Sequence, residues 1–428
     1  MIHCKTIDGV ARLRIRLVML RLLIVTEGYE ATTAQHHTYV ANHSKAAGSA
    51  GSGRLPRSIA AAGLVSVLTT AMIACSGMAA ARVQPPTCFG VPATIIAAPN
   101  TPTSGTPGPD VIVGTAGADV IDGQLGNDLI CGMAGDDILA GGLGNDQLDG
   151  GIGDDGVHGD MFRSAGNASG SGNDRLVGGD GNDLMNGDSY APNGTATGGG
   201  NDGLYGGDGN DLMTGDSRGR SASGGGRDRL DGGADSGTGD EHLVGDSGST
   251  VGDAAGAGDD IILGGPGLEL LIGDSNAAQN ASGNGGDDLL DVGADGGFAA
   301  IGDHNINDPA GGRAIGSGND RIIGGSADDF LVGDSAVVDA TVTSAGRDVI
   351  SGRAGNDSLF GDNTDFNVTM TVGTAGGNDL LDGGDGIDTL RAGPHNDYLD
   401  GGPDAPDDCD GEAGVDIAAR CEIVSNVP

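Results

Sequence analysis

The chain has 428 residues, of which 86 are glycine, while aromatic residues make up only 3% and tryptophan is absent. Its formal net charge is −40 at neutral pH. This composition argues against an ordinary globule with an aromatic core. The acidic balance predicts that nucleic acid is not a partner, because duplex binding needs a basic surface.

The region before Arg82 has the features of an export signal. Arg54 and Arg57 precede an apolar run at 59–74, and small residues follow up to position 81. We therefore interpret residues 54–81 as a signal peptide, cleaved before Arg82, and predict a secreted, extracellular protein. The alternative of a membrane anchor is weaker, because a spanning helix needs about 20 apolar residues. We predict no transmembrane segment in the mature chain.

Two further interpretations concern the N-terminal region. The sequence ending at Cys75 resembles a lipoprotein processing site, so a lipid-anchored protein at the cell surface is the alternative location. Residues 1–53 lie upstream of the signal peptide, and we interpret them as a non-native extension or a disordered segment. Val40 is then a candidate initiator.

Four cysteines form two groups that bracket the glycine-rich region. Export to an oxidising compartment favours disulfides, and we predict that Cys88 pairs with Cys131 and Cys409 with Cys421. Free buried thiols are the alternative. Zinc is not expected, because these cysteines lack a C-x-x-C spacing or a nearby histidine pair. Residues 82–107 are predicted to form an N-terminal cap, and residues 419–428 a C-terminal tail.

A nine-residue period begins at Gly108 and reads G-x-D-x-U-x-G-x-x, where U is a large apolar residue. The first U positions are Ile112, Ile121 and Ile130. The G-x-x-G-x-D part predicts a tight turn, because glycine tolerates close backbone approach. The D-x-U-x part predicts a short strand whose U side chain points inward. This period is the signature of a calcium-binding parallel β-helix, which we predict for residues 108–418.

A longer period of about two nonamers plus an insert follows the first six repeats. Each module closes on a Gly-Asp pair, and we call these acids the closing aspartates: Asp160, Asp188, Asp216, Asp246, Asp274, Asp303, Asp334 and Asp362. They either extend a metal site or only start the insert. We predict that the inserts emerge on one edge, where solenoids often carry binding loops.

Calcium prefers six to eight oxygen ligands from carboxylates and backbone carbonyls, and stacked turns with one aspartate each supply them. One apolar side chain per nonamer is a small core for so acidic a chain, so we predict that metal binding and folding are coupled. The predicted calcium ligands are Asp110, Asp119, Asp128, Asp137, Asp146, Asp155, Asp174, Asp183, Asp202, Asp211, Asp228, Asp260, Asp288, Asp320, Asp329, Asp348, Asp357, Asp379, Asp388 and Asp397.

Runs such as 126–130 (GNDLI) and 144–151 (GNDQLDGG) resemble the RTX, or haemolysin-type, calcium-binding repeats. The resemblance covers about residues 108–418. It implies a right-handed parallel β-roll in which two nonamers form one coil and calcium lies between successive coils. The segments around Cys88 and at Cys409 to Cys421 further resemble small exported bacterial members built almost wholly of repeats. Two features depart from the family, namely the inserts and an N-terminal rather than a C-terminal export signal.

Several residues imitate catalytic motifs. Residues 215–219 satisfy the G-x-S-x-G pattern of hydrolases around Ser217, but Gly-Asp-Ser recurs at the module period, which indicates a turn. His158, His242, His304 and His395 are scattered, without an H-E-x-x-H motif, and we interpret them as surface residues. Met185 and Met213 occupy U positions and are predicted to be core.

The sequence therefore predicts an all-β solenoid of nonapeptide repeats that binds many calcium ions and is not an enzyme. The expected role is a structural, adhesive or surface-interaction module with an unidentified cell-surface or matrix ligand. The alternative is a secreted hydrolase or toxin whose activity lies in the inserts.

Overall fold

A computed structural model describes residues 2–7, 10–15, 84–234, 240–296, 298–339, 344–365, 367–404 and 406–427. The predicted signal peptide, Cys75 and Val40 lie outside these residues. The chain divides into two units, Met1–Gln84 and Pro85–Pro428. In the first unit, Ile2–Ile7 pairs with Val10–Ile15 in an antiparallel sheet.

In the second unit, every regular element of the described residues is a strand, and two 14-stranded parallel sheets form the roll. The first sheet contains Ile95–Ile96, Val111–Val113, Leu129–Ala134, Gln147–Ile152, Arg175–Asp180, Gly203–Asp208, Arg229–Ala234, Ile261–Leu263, Leu289–Asp291, Arg321–Ile323, Val349–Ser351, Leu380–Asp382, Tyr398–Asp400 and Ile417–Ala419. The second sheet contains Thr103–Ser104, Val120–Asp122, Ile138–Ala140, Gly156–His158, Leu184–Asn186, Leu212–Thr214, Asp240–Val244, Leu268–Ile272, Ala299–Ile301, Phe330–Val332, Ser358–Phe360, Thr389–Arg391, Asp408–Asp410 and Ile423–Ser425. The chain alternates between the two sheets, so two nonamers make one coil, and the predicted parallel β-roll is confirmed.

The inserts form a third parallel sheet of 11 strands, which the sequence did not predict. It contains Ala168–Ser169, Tyr190–Thr197, Arg218–Ser223, Gly248–Ser249, Ala254–Ala255, Asn276–Ala277, Ala281–Ser282, Asn305–Ile306, Ala314–Ile315, Ala336–Val337 and Thr364–Asp365. Successive inserts align in register, as where Ala196 pairs with Ala222 and Ala222 with Ala254. Stacking satisfies the backbone groups of each insert through its neighbours, so the inserts extend the solenoid sideways.

The core is one cluster of U side chains between the first two sheets, with one column from each sheet. Ile112, Ile130 and Leu148 stack in register in the first sheet and are fully buried. Met185 and Met213 lie in the column of the second sheet. Burial of both methionines confirms that they are core residues. Alternate residues of each strand face outward, as the period of two in a strand requires.

A disulfide lies at each end of the second unit, as predicted. Cys88, on the short hairpin Thr87–Cys88 and Val91–Pro92, bonds to Cys131 of the first sheet. Cys409, a core residue of the second sheet, bonds to Cys421. The Cα atoms are 5.6 Å and 6.0 Å apart, respectively. Both bonds link a terminal segment to the stacked coils.

Candidate metal centre

Each nonamer turn places its aspartate directly before a strand, with the side chain turned into the roll. One column of these acids precedes the strands of the first sheet, and we call it the first ladder. The backbone N–H of each aspartate donates to Oδ1 of its counterpart in the next coil, at 2.7–3.0 Å. Its members are Asp110, Asp128, Asp146, Asp174, Asp202, Asp228, Asp260, Asp288, Asp320, Asp348, Asp379, Asp397 and Asp416.

The second ladder precedes the strands of the second sheet and follows the same rule, but it is interrupted. Its aspartates are Asp119, Asp137, Asp155, Asp183 and Asp211, and then Asp329, Asp357, Asp388 and Asp407. Between the two groups the equivalent positions hold Glu241, Glu269 and Phe298. Phenylalanine has no carboxylate, and the Phe298 side chain is 60% exposed, so its coil offers no ligand there.

All twenty predicted ligands fall in one of the two ladders, and each is at most 7% exposed. Asp407 and Asp416 are not among the predicted ligands. The structure shows that they continue the ladders, because they accept the N–H groups of Asp388 and Asp397.

The second carboxylate oxygen of most ladder members has no hydrogen-bond donor among the described residues. This holds for Oδ2 of Asp128, Asp137, Asp146, Asp155, Asp174, Asp183, Asp202, Asp228, Asp260, Asp288, Asp320, Asp348, Asp357, Asp379, Asp388, Asp397, Asp407 and Asp416. A buried carboxylate oxygen without a donor is costly, so this pattern points to a ligand.

The first coil has protein donors to the second carboxylate oxygen. The N–H groups of Thr106 and Thr115 each donate to Oδ2 of the aspartate four residues later, at 2.6 Å. The acids concerned are Asp110 and Asp119. Protein donors therefore already satisfy Oδ2 of each of these two predicted ligands, and the N–H of Gly325 does the same for Asp329 at 2.7 Å.

Stacked glycines place carbonyl oxygens beside the free carboxylate oxygens. A Cβ atom added at Gly132 would overlap both Oδ2 of Asp137 and the carbonyl oxygen of Gly150 in the next coil. The same overlap recurs at Gly150, with Asp155 and the next glycine carbonyl. Only glycine leaves this space open, and oxygen atoms from two coils surround it. Carboxylate and carbonyl oxygens are the ligands that calcium prefers.

Burial changes the acidity of these groups. Desolvation raises the pKa of Asp137 and Asp146 to about 7, although each accepts a backbone N–H, which lowers the pKa. Desolvation and neighbouring ladder acids raise the pKa of Asp174 to about 9. The folded chain therefore resists carrying these negative charges unless positive charge is supplied.

The closing aspartates join the first ladder, which the sequence analysis had left open. Three groups bring their ligand oxygens within 4.8 Å of one another, and every member is buried. The groups are Asp160 with Asp174 and Asp188, Asp188 with Asp202 and Asp216, and Asp216 with Asp228 and Asp246. The recurrence of Gly-Asp at the module period was the sequence signal for these residues.

The surface interpretation of the histidines is wrong for two of the four. His158 is 1% exposed and its ring stacks on Phe162, while burial lowers its pKa to about 3. His304 is fully buried with Nδ1 3.7 Å from Oδ2 of Asp274. His158 ends a strand of the second sheet and His304 follows one, at the corner that the third sheet covers. An isolated histidine in the sequence carried no signal of that cover.

The RTX calcium-binding nonapeptide repeat family matches this chain at residues 104–139, 132–162, 168–189, 196–217, 254–277, 316–336, 342–365 and 374–405. The chain is an RTX-repeat protein. The matched segments carry all the ladder aspartates except Asp228, Asp288, Asp407 and Asp416, so the family assignment and the geometry refer largely to the same residues. No curated protein sequence matches the chain. Among the residues that the structure describes, none forms a helix long and apolar enough to cross a membrane.

The donor set of the RTX repeats fits calcium. It consists of carboxylate oxygens and glycine carbonyls, without sulfur or nitrogen in the three acidic groups. Bound calcium supplies positive charge next to carboxylates that burial otherwise disfavours. The ladder aspartates hold adjacent coils in register through Oδ1, and Oδ2 remains directed toward the oxygen-lined space. Register and metal binding thus depend on the same side chains.

Proposed function

We propose that this chain is an exported calcium-dependent structural module whose coils assemble when calcium binds, and that it acts at a surface or in a matrix rather than as an enzyme. The unpartnered Oδ2 atoms along both ladders are the observation that carries the proposal. Burial of so many uncompensated carboxylates opposes folding, and a ligand that binds only the folded state stabilises it by mass action.

Export is supported by two disulfides, since such bonds persist in oxidising compartments. N-terminal sequencing of the mature protein from its host is the test of location. A chain beginning at Arg82 supports cleavage of residues 54–81, whereas a lipidated Cys75 supports the surface-anchored alternative. A cytoplasmic chain that keeps its first 81 residues would contradict export.

The non-enzymatic proposal is supported by the surroundings of Ser217. This serine is fully buried, and its Oγ atom donates to the carbonyl of Gly198 at 3.5 Å. The corresponding serines at 189, 247, 275 and 335 are equally buried. A nucleophile must reach its substrate, so the arrangement favours a turn residue over an active-site serine.

The decisive experiment is a calcium titration of the full chain followed by circular dichroism, with magnesium as the control ion. We expect β structure to develop cooperatively with calcium and to disappear on chelation, and magnesium to be much less effective, because it demands a tighter octahedral geometry. A chelator-treated chain with the same spectrum and melting temperature as the calcium-loaded chain would contradict the proposal.

A further inference from the structure

Each insert leaves the roll at a closing aspartate and returns at a first-ladder aspartate. In one module the chain departs at Asp188, forms the third-sheet strand Tyr190–Thr197 and re-enters at Asp202. Glycines line the junction between roll and insert on both sides. A Cβ added at Gly198 would lie 2.8 Å from Cβ of Asp188, and one added at Gly187 would overlap Oδ2 of Asp202. The two carboxylates are thus packed into a narrow junction between roll and insert.

Stacking of the coils adds a third carboxylate to each junction. The closing aspartate of the next coil lies beside the pair, so Asp188, Asp202 and Asp216 have ligand oxygens within 4.8 Å of one another. Asp188 also belongs to the preceding group, and Asp216 to the following one. The acids therefore form a continuous file along the junction, in which each interior closing aspartate is shared by two groups.

These carboxylates have free oxygen atoms, which a merely structural cluster would not need. Both oxygens of Asp160 and the Oδ2 atoms of Asp188, Asp216 and Asp246 have no hydrogen-bond donor among the described residues. The four side chains are 0% exposed. Where an oxygen of Asp188, Asp216 or Asp246 is bonded, the donor is a backbone N–H at the end of the insert, as from Gly200 to Oδ1 of Asp216 at 3.1 Å. The remaining oxygens point into the group.

Three buried carboxylates at this separation cannot all stay charged without compensation, because their repulsion is strong and solvent is absent. Either protons or cations must neutralise them. Further along the file, the imidazole of His304 lies 3.7 Å from Asp274, which places a basic group beside the acids. The three groups between Asp160 and Asp246 consist of oxygen donors alone, and divalent calcium is the ion that such a donor set favours.

We propose that each closing aspartate adds a carboxylate to the calcium sites of the first ladder, one site at each of the three acidic groups, and so fastens the third sheet to the roll. These sites differ from the turn sites of the plain coils, because their ligand set includes the Gly-Asp that opens each insert. The inference rests on the proposed function only in taking calcium as the cation.

The test is the number of calcium ions bound per full-length chain, measured by equilibrium dialysis and atomic emission in the wild type and in Asp→Asn variants. Asp160 belongs to one group and Asp188 to two. We therefore expect Asp160→Asn to bind one ion fewer than the wild type and Asp188→Asn two fewer. The matched control is Asp180→Asn, which alters an exposed acid at the end of a first-sheet strand and should leave the count unchanged.

Equal counts in the wild type and both closing variants would overturn the inference. If that wild type still folds with calcium, the proposed function survives and only the role of the closing aspartates fails. A wild type without calcium binding would refute the function itself. Infrared spectra of calcium-saturated wild type at neutral pH decide the case even if Asp188→Asn does not fold. We expect no carbonyl band from protonated carboxylic acids, whereas a persistent band that Asp160→Asn weakens would show that protons neutralise the file.

Discussion

The plain coils at both ends of the repeat region and the inserted coils between them share the first ladder but differ in its environment. In plain coils the turn after the second sheet is short, and burial raises the pKa of Asp128 and Asp397 to about 6. In inserted coils the third sheet covers that turn and adds a closing aspartate. Desolvation there raises the pKa of Asp174 to about 9 and that of Asp202 to about 8.

The C-terminal coils show that the insert, and not position along the chain, is responsible. The nonamers that follow Asp379 have no insert, and there desolvation raises the pKa of the first-ladder acid Asp397 only to about 6. The nonamer itself is unchanged between these regions. We conclude that each insert adds further desolvation to a carboxylate that the plain coil already buries, and so makes its coil more dependent on bound cations.

The largest expected effect is the response to chelation. We predict that the inserted coils, residues 160–365, lose amide protection at a higher residual calcium concentration than the plain coils around 110–155. The reason is that their carboxylates carry the greater desolvation cost when the ion leaves. Hydrogen exchange with mass spectrometry across a chelator series measures this order. Loss of amide protection in all coils at once, or first in the plain coils, would contradict this difference between the two regions.

A matched pair of substitutions tests the difference between inserted and plain coils. In calcium, Asp202→Asn should lower stability by up to about 2.7 kcal/mol, the contribution of one independent site at a hundredfold excess of ligand. Without calcium, the same change should raise the stability of the inserted coils, because it removes a buried charge. Asp128→Asn in a plain coil should also lower stability in calcium and raise it without calcium, but the calcium-free increase should be smaller. Thermal unfolding with and without calcium measures both; a loss in each condition at Asp202 would contradict the explanation.

The calcium-free protein should also respond to pH. Since the folded-state pKa values lie above the unfolded value of about 3.9, protonation favours the folded state, and stability is greatest below pH about 4. It should fall as pH rises through the folded values. The contribution of Asp128 and Asp397 in the plain coils is lost as the pH rises through their folded-state pKa of about 6. The contribution of Asp174 is lost only as the pH rises through its pKa of about 9. Circular dichroism of chelated protein across this range measures the effect, and increasing stability toward alkaline pH would refute it.

The smallest expected effect concerns the corner serine of an inserted coil. Ser217→Ala should cost about 0.5 to 1.5 kcal/mol, the usual net contribution of one hydrogen bond, and should leave calcium binding intact. Denaturant unfolding measures the loss. Hydrolysis of generic ester or peptide substrates by the wild type, abolished in this variant, would instead support the hydrolase alternative.

Much of the candidate site could be predicted from spacing alone. A strict period places every ninth residue at the same point of a turn, so the ladder aspartates and U residues such as Ile112 were identifiable without coordinates. The pairing of Cys88 with Cys131 was also predictable, because the cysteines bracket the repeats. The interruption of the second ladder at Glu269 and Phe298 was harder to recognise in the sequence, because the aspartates of the first ladder continue through the same region.

The inserts mark the limit of sequence reasoning. They differ in length and share little beyond small residues, so no period within one insert predicted the strands of the third sheet. These strands form because each insert finds its partner in the next coil, as Ala168 does with Ala196. Burial of His158 and His304 follows from the same cover. Local sequence does not contain that partner, and therefore could not report the burial.

By itself, the sequence determined the coil, its apolar core and the acids of both ladders, because these depend on short-range periodicity repeated many times. Only the tertiary structure decided that the inserts pack into a sheet and that closing aspartates meet ladder aspartates from neighbouring coils. The meeting of Asp188, Asp202 and Asp216 depends on how coils stack, which is a property of contacts between distant segments. The same stacking decides which carboxylate oxygens receive a backbone N–H and which are left for a cation.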